Sequence, residues 1–105
     1  MKKMLSASIV TIALMVLIGC VGSAPAQNRV VISDSGFAPA EVSIKVGGTV
    51  EWANKGTTLH TVTTADFDSQ AIRQGGAHSR TFEKAGTYAY FCRYHPTETG
   101  TVTAR

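Results

Sequence analysis

The sequence predicts an all-β sandwich of about seven or eight short strands. Three observations lead there. Apolar residues alternate with a period of two from Arg29 onward, glycine-centred turn signals separate the alternating runs, and beyond the first stretch no window of about 11 residues carries a helical stripe.

Taken in chain order, Val42, Ile44 and Val46 share one face of an early run, and Val50 and Trp52 share a face of the next. The Gly47-Gly48 turn lies between them, and Ser35-Gly36, Lys55-Gly56, Gly75-Gly76 and Ala85-Gly86 mark the other turns. Tyr88, Tyr90 and Cys92 fall on one face of a later run, and Thr101 to Arg105 closes the chain with Val102 as its main apolar residue. The stretch from Ala65 to Gln74 is the least strand-like and is expected to form a loop with a short helical turn. Internal repeats and low-complexity segments are absent.

A chain of 105 residues holds one domain at most. Lys2 and Lys3 precede an uncharged run from Met4 to Ile18, 15 residues long, short of the roughly 20 a spanning helix needs. A basic start, a short apolar stretch and small residues after it describe a secretory signal. Two cleavage sites compete. Leu17-Ile18-Gly19-Cys20 resembles the bacterial lipobox, and Ala24-Pro25-Ala26 fits the A-x-A pattern of an ordinary signal peptidase. The lipobox is preferred because it puts a cysteine at the end of the apolar run. The expected organisation is a signal over residues 1–19 (alternatively cut after 26), a short tether over 20–28 and the folded domain over 29–105. Either cut exports the protein, to the bacterial periplasm or the cell-envelope surface, and a lipid on Cys20 would tether it to a membrane.

Removing the signal leaves 86 or 79 residues, a core that is marginal without a staple. A disulfide is the usual staple in an exported protein. Only two cysteines exist, and Cys20 is either lipidated or cut away. Cys92 is therefore alone in an oxidising compartment, where a free thiol is a liability. Metal ligation resolves both problems, since the thiolate is protected and the metal adds folding energy. Charge is less informative. Beyond the signal, eight basic residues stand against seven acidic ones, a balance of +1 with no basic cluster of the kind nucleic acid requires.

The candidate chemistry lies in Cys92-Arg93-Tyr94-His95 and in His60, 32 residues upstream. A Cys-x-x-His pair at a strand end can put a thiolate and an imidazole on one ion. The spacing is common, but the strand leading into it, Pro96 after it and a histidine in another alternating run add weight. Two imidazoles and a thiolate with a weak axial ligand make the blue-copper electron-transfer site.

These residues resemble the cupredoxins of the plastocyanin, pseudoazurin and amicyanin kind, most of all amicyanin, over almost all of residues 29–105. Phe37-Ala38-Pro39, Val42-Ser43-Ile44-Lys45-Val46-Gly47 and Val50-Glu51-Trp52-Ala53-Asn54 resemble the family's first half. Gly86-Thr87-Tyr88-Ala89-Tyr90-Phe91-Cys92, then His95-Pro96 and Gly100-Thr101-Val102, resemble the cysteine strand, the ligand loop and the strand leaving it. The resemblance implies a Greek-key β-sandwich and one Cu(I)/Cu(II) ion per chain, held by His60, Cys92 and His95. It implies that Asn54 is the asparagine that pins the ligand loops from behind the ligands. It further implies a monomer that is not an enzyme, exchanging single electrons with a transient redox-protein partner docked near His95, where Leu59 and Pro96 supply apolar surface.

One position departs from the family. An axial methionine is expected three residues after the second histidine, where this chain has Glu98, and Met1, Met4 and Met15 all lie in the signal. The axial ligand is then Glu98, a backbone carbonyl near His60, or absent. A carboxylate ligand would favour Cu(II), lower the reduction potential and move the colour from blue towards green or red. The copper cation would also hold that carboxylate in its charged form.

Two other functions compete: copper storage or delivery without redox turnover, and a red-copper enzyme of the nitrosocyanin kind with an open coordination position. Of the remaining residues, His78 is expected to be an ordinary surface or half-buried histidine. Trp52, Phe82, Tyr88 and Tyr90 are expected in the core, and Arg93 and Tyr94 beside the exposed edge of His95.

Overall fold

Period-two alternation appears as seven strands in a computed structural model, which describes residues 28–105. The expected leader, both expected cleavage sites and Cys20 lie outside the described residues. The strands are β1 (Asn28–Ser33), β2 (Gly36–Ala38), β3 (Glu41–Ile44), β4 (Thr49–Asn54), β5 (Ala77–Thr81), β6 (Gly86–Phe91) and β7 (Thr99–Ala104). They form two sheets, ordered β2-β1-β4-β5 and β3-β7-β6, the expected all-β sandwich. The chain changes sheet after β2, after β3 and after β5, so strands far apart in sequence meet in parallel: β1 beside β4 and β3 beside β7. Neighbours in sequence pair antiparallel, as β1–β2, β4–β5 and β6–β7 do.

Alternation decides what fills the space between the sheets. Val30 and Ile32 of β1 and Val50 and Trp52 of β4 point inward and are buried. From the other sheet come Ile44, Tyr90, Val102 and Ala104. The Trp52 indole is the hub. It meets Tyr90 edge-on at a centroid distance of 5.4 Å and Phe82 at 6.4 Å, and Tyr90 meets Phe37 at 4.8 Å. Edge-to-face contacts of this kind add about 0.5–1.5 kcal/mol to simple burial. Tyr90 lies opposite Gly100 on β7. A β-carbon at Gly100 would overlap the Tyr90 ring, so this crossing requires glycine.

Two local expectations are corrected. Ala65 to Gln74 contains no helical turn; extended bridges pair Thr63 with Asp68 and His60 with Ile72. Side chains there capture backbone donors that a helix would have used: Gln70 N–H donates to Asp68 Oδ1 (2.7 Å) and Asp66 N–H to Thr64 Oγ1 (3.2 Å). Val46 does not continue the face of Val42 and Ile44. A turn closed by Gly48 N–H donating to Lys45 O (2.8 Å) begins before it and leaves it exposed.

Among the described residues no helix is long and apolar enough to cross a membrane. The sandwich instead has one functional end. The β4–β5 connection carries His60, and the β6–β7 connection carries Cys92, His95 and Glu98. Thr63 and Phe91 exchange backbone hydrogen bonds of 2.9 and 3.0 Å, which lay the first connection against the strand that delivers the second.

Gly100→Ala is expected to lower stability by about 1–3 kcal/mol through forced displacement of the Tyr90 ring, read as a shift in the urea midpoint at unchanged slope. His78, half-buried on β5 against Phe67, is held below the usual histidine range by burial and then by Arg80. The unfolded chain therefore takes up this proton more readily. Stability is expected to fall as pH drops below the ordinary histidine value of about 6.5 and on through the lower folded value. In His78→Gln this fall should be shallower, as measured by denaturation at pH 7.5, 6.5 and 5.5.

Candidate metal centre

Loop closure sets the arrangement of residues 92–98. His95 N–H donates to Cys92 O (3.2 Å), Glu98 N–H to His95 O (2.8 Å) and Cys92 N–H to Glu98 O (3.1 Å). Two successive turns, closed end to end, bring residues spaced by three to a common point. Cys92 ends the inward face that runs through Tyr88 and Tyr90, so its thiol is fully buried. His60 arrives from the other connection, and its ring is also fully buried.

The structure brings His60, Cys92, His95 and Glu98 together, with one donor atom from each inside a cluster no more than 4.8 Å across. Cys92 Sγ lies 3.8 Å from His60 Nδ1 and 3.4 Å from His95 Nδ1. Glu98 Oε1 lies 3.0 Å from His60 Nδ1 and 3.4 Å from His95 Nδ1. Donors bonded to one ion at about 2.0–2.3 Å stand roughly 3.3–3.8 Å apart in a four-coordinate shell; three of the four spacings fall in that range and the Glu98–His60 spacing is shorter. Two imidazoles and a thiolate select copper, and the carboxylate adds a hard oxygen. The donor set fits one copper ion per chain. Glu98 does not point to solvent: its side chain is 10% exposed and its oxygen lies between the two imidazoles. The His95 side chain is 36% exposed, which makes it the edge of the centre that meets water.

Asn54, at the end of β4, is fully buried and makes three hydrogen bonds. Its amide donates to Thr58 O (3.0 Å) and Ile72 O (2.8 Å), and its oxygen accepts from Gly56 N–H (2.8 Å). All three bonds pin the approach to His60. The tie to the Cys92 loop comes from Thr61, which the sequence reading missed. Thr61 N–H donates to Cys92 Sγ (3.4 Å), and its hydroxyl accepts from Arg93 N–H (2.9 Å). Asp34, in the β1–β2 turn, was also missed, and its Oδ1 lies 3.4 Å from His60 Nε2. Donation by the Thr57 hydroxyl and then by the Thr57 N–H holds the Asp34 carboxyl well below the usual carboxylate range. The adjacency of Thr61 to His60 could have flagged it, whereas nothing local marks Asp34 except a turn.

Arg93 pairs with Asp68, at 2.6 Å from Nε to Oδ2. That pairing raises the Arg93 pKa and lowers that of Asp68. Tyr94 is exposed, and His78 takes no part in the cluster.

A β-sandwich with a His/Cys/His/carboxylate cluster at one end, two of its members fully buried, defines a small single-ion metalloprotein of the cupredoxin architecture. The chain matches the Cupredoxin-like domain over residues 7–104 and belongs to that family. Amicyanin from Paracoccus versutus is 35% identical over 86 residues, 74% of this chain and 65% of that protein, just under two thirds of its length. Plastocyanin from Scenedesmus fuscus is 33% identical over 82 residues, 60% of this chain and 81% of that protein. Among solved structures, a purple cupredoxin from Nitrosopumilus maritimus superposes with a TM-score of 0.70 at 26% identity, covering 74% of this chain and 99% of its own. A Cu(I) amicyanin variant superposes at 0.72 with 30% identity, covering 75% of this chain and 82% of its own.

Replacing Asn54 by Ala removes three hydrogen bonds from a buried position and leaves Ile72 O and Gly56 N–H without their side-chain partner. The expected loss is about 1–3 kcal/mol, measured by chemical denaturation. The copper affinity of the folded protein should fall with it, because the pinned approach to His60 loosens.

Proposed function

We propose that this protein is an exported copper protein that carries single electrons between redox partners. The observation that carries the reading is the convergence of His60 Nδ1, His95 Nδ1, Cys92 Sγ and Glu98 Oε1 within 4.8 Å. Copper bound there would supply one-electron Cu(I)/Cu(II) chemistry.

The protein's own residues account for the rest. Bound copper would be held by His60 and His95 through neutral imidazoles, by Cys92 through a thiolate and by Glu98 through a carboxylate oxygen. Closure of residues 92–98 by three backbone hydrogen bonds and anchoring of His60 by Asn54 hold the donors close to one point. A centre that needs little rearrangement suits rapid exchange of an electron. The Thr61 N–H at the sulfur stabilises negative charge on the thiolate. The solvent-facing edge of His95 is the proposed electron port. Leu59, Phe91 and Tyr94 are exposed large hydrophobic side chains, and Leu59 and Tyr94 adjoin ligands in sequence, as does Pro96. They suit a small apolar patch for a weak, brief partner contact.

The carboxylate between the imidazoles supports a filled fourth position and argues against an open-site enzyme. The burial of His60 and Cys92 argues against a delivery protein, which must release its ion readily. Residues 29–105 form the proposed carrier domain, acting as a monomer. Residues 1–19 are the proposed signal, and Cys20 the proposed lipid-bearing tether to the envelope.

Titration with Cu(II), followed by visible and EPR spectra, tests the reading. The parent should develop a thiolate-to-copper charge-transfer band that Cys92→Ser abolishes; a parent without that band would rule out the copper–thiolate assignment. Glu98→Met should raise the reduction potential and move the colour towards blue, and Glu98→Gln should raise the potential as well. Unchanged spectra and potential in both variants would show that Glu98 is not a ligand.

A further inference from the structure

The buried His60 ring stands between two carboxylates. Its Nδ1 faces Glu98 Oε1 at 3.0 Å and belongs to the metal cluster. Its Nε2 points the other way, to Thr58 Oγ1 at 3.2 Å and Asp34 Oδ1 at 3.4 Å. Thr58 Oγ1 itself lies 3.4 Å from the same Asp34 oxygen. The carboxylate thus reaches the ring directly and through the Thr58 hydroxyl.

Asp34 is held firmly in this position. Thr57 N–H donates to both of its oxygens, at 2.9 and 3.0 Å, and the Thr57 hydroxyl donates to Oδ2 at 2.5 Å. A β-carbon at Gly56 would overlap Asp34 Oδ1, so the chain keeps room for the carboxylate at that point. When an ion occupies Nδ1 of a neutral imidazole, Nε2 carries the proton and must donate it to something. The ring is fully buried, and among the described residues the acceptors facing Nε2 are Asp34 and Thr58.

We propose that Asp34 is the positioning residue of the centre, holding the Nε2–H of His60 so that Nδ1 faces the ion. It also supplies a second negative charge that favours Cu(II) over Cu(I). This rests on the copper reading above. An outer carboxylate of this kind fixes the tautomer and ring orientation and raises the basicity of the ligand nitrogen, and losing such a partner commonly costs 10–100-fold in metal affinity.

The test compares Asp34→Asn and Thr57→Val with the parent. Asp34→Asn keeps the size of the side chain and an acceptor oxygen but removes the charge. Thr57→Val loosens the loop clasp and leaves the charge in place. Asp34→Asn is expected to weaken Cu(II) binding by about 10–100-fold and Cu(I) binding by less. Each tenfold difference between the two raises the reduction potential by about 59 mV. Thr57→Val should lower the stability of the metal-free protein and leave the Cu(II)-to-Cu(I) affinity ratio unchanged. The idea is overturned if Asp34→Asn keeps the parent ratio and potential, or if Thr57→Val shifts them equally, since Asp34 would then be a loop clasp only.

A second arm does not depend on copper chemistry. In the Zn(II)-loaded protein, NMR should detect a slowly exchanging His60 Nε2–H that exchanges faster in Asp34→Ala. Equal exchange in both proteins would also overturn the proposal. A parent that lacks the copper–thiolate band defeats the copper reading, and the Zn(II) arm still decides the role of Asp34.

Discussion

The reciprocal backbone hydrogen bonds between Thr63 and Phe91 are the constraint on which the candidate metal centre depends. Phe91 is the last residue of β6, and the next residue is Cys92; Thr63 follows His60 by three. Joining these two points makes the distance from the His60 ring to the Cys92 sulfur a property of paired backbone rather than of loop flexibility. The 92–98 loop is short and closed by its own hydrogen bonds, so fixing Cys92 also fixes His95 and Glu98. The rigidity of the sandwich is passed directly to the four donor atoms.

Burial imposes a second requirement on the same end. A fully buried imidazole, thiol and amide each need polar partners, since an unpaired polar group in such a place costs about 1–3 kcal/mol. Asn54 meets this need with three bonds to backbone atoms. Cys92 receives the Thr61 N–H, and His60 finds a carboxylate on each side. The hydrogen bonds that make the burial tolerable also orient the donors towards one point. Packing deeper in the sandwich serves a different purpose. Trp52, Tyr90, Phe82 and Phe37 form an aromatic core that supplies stability and holds the sheets at the spacing the loops need.

Much of the fold was legible in the residue pattern, because strand alternation is a local property. Val50 and Trp52 had to share a face, as did Tyr88, Tyr90 and Cys92, whatever the rest of the chain did. Glycine turns were equally readable. Val46 misled because alternation cannot tell where a strand stops and a turn begins. The segment after Thr63 misled because short polar side chains took over the backbone donors, a choice that depends on contacts rather than composition.

For the centre, the sequence by itself determined the donor types: a cysteine at the end of an alternating run, a histidine three residues after it and another in a separate run. It also determined that no methionine was at hand for the axial position. Only the tertiary structure decided where Glu98 points, since its direction follows from closure of the 92–98 loop against Cys92 N–H. The same holds for Thr61 and Asp34. Asp34 is 26 residues from His60 in sequence, and only the parallel pairing of β1 with β4, which carries Ile32 alongside Asn54, sets the turn after β1 beside the approach to His60. Contacts across a sheet are fixed by register between distant segments, and no local pattern encodes that register.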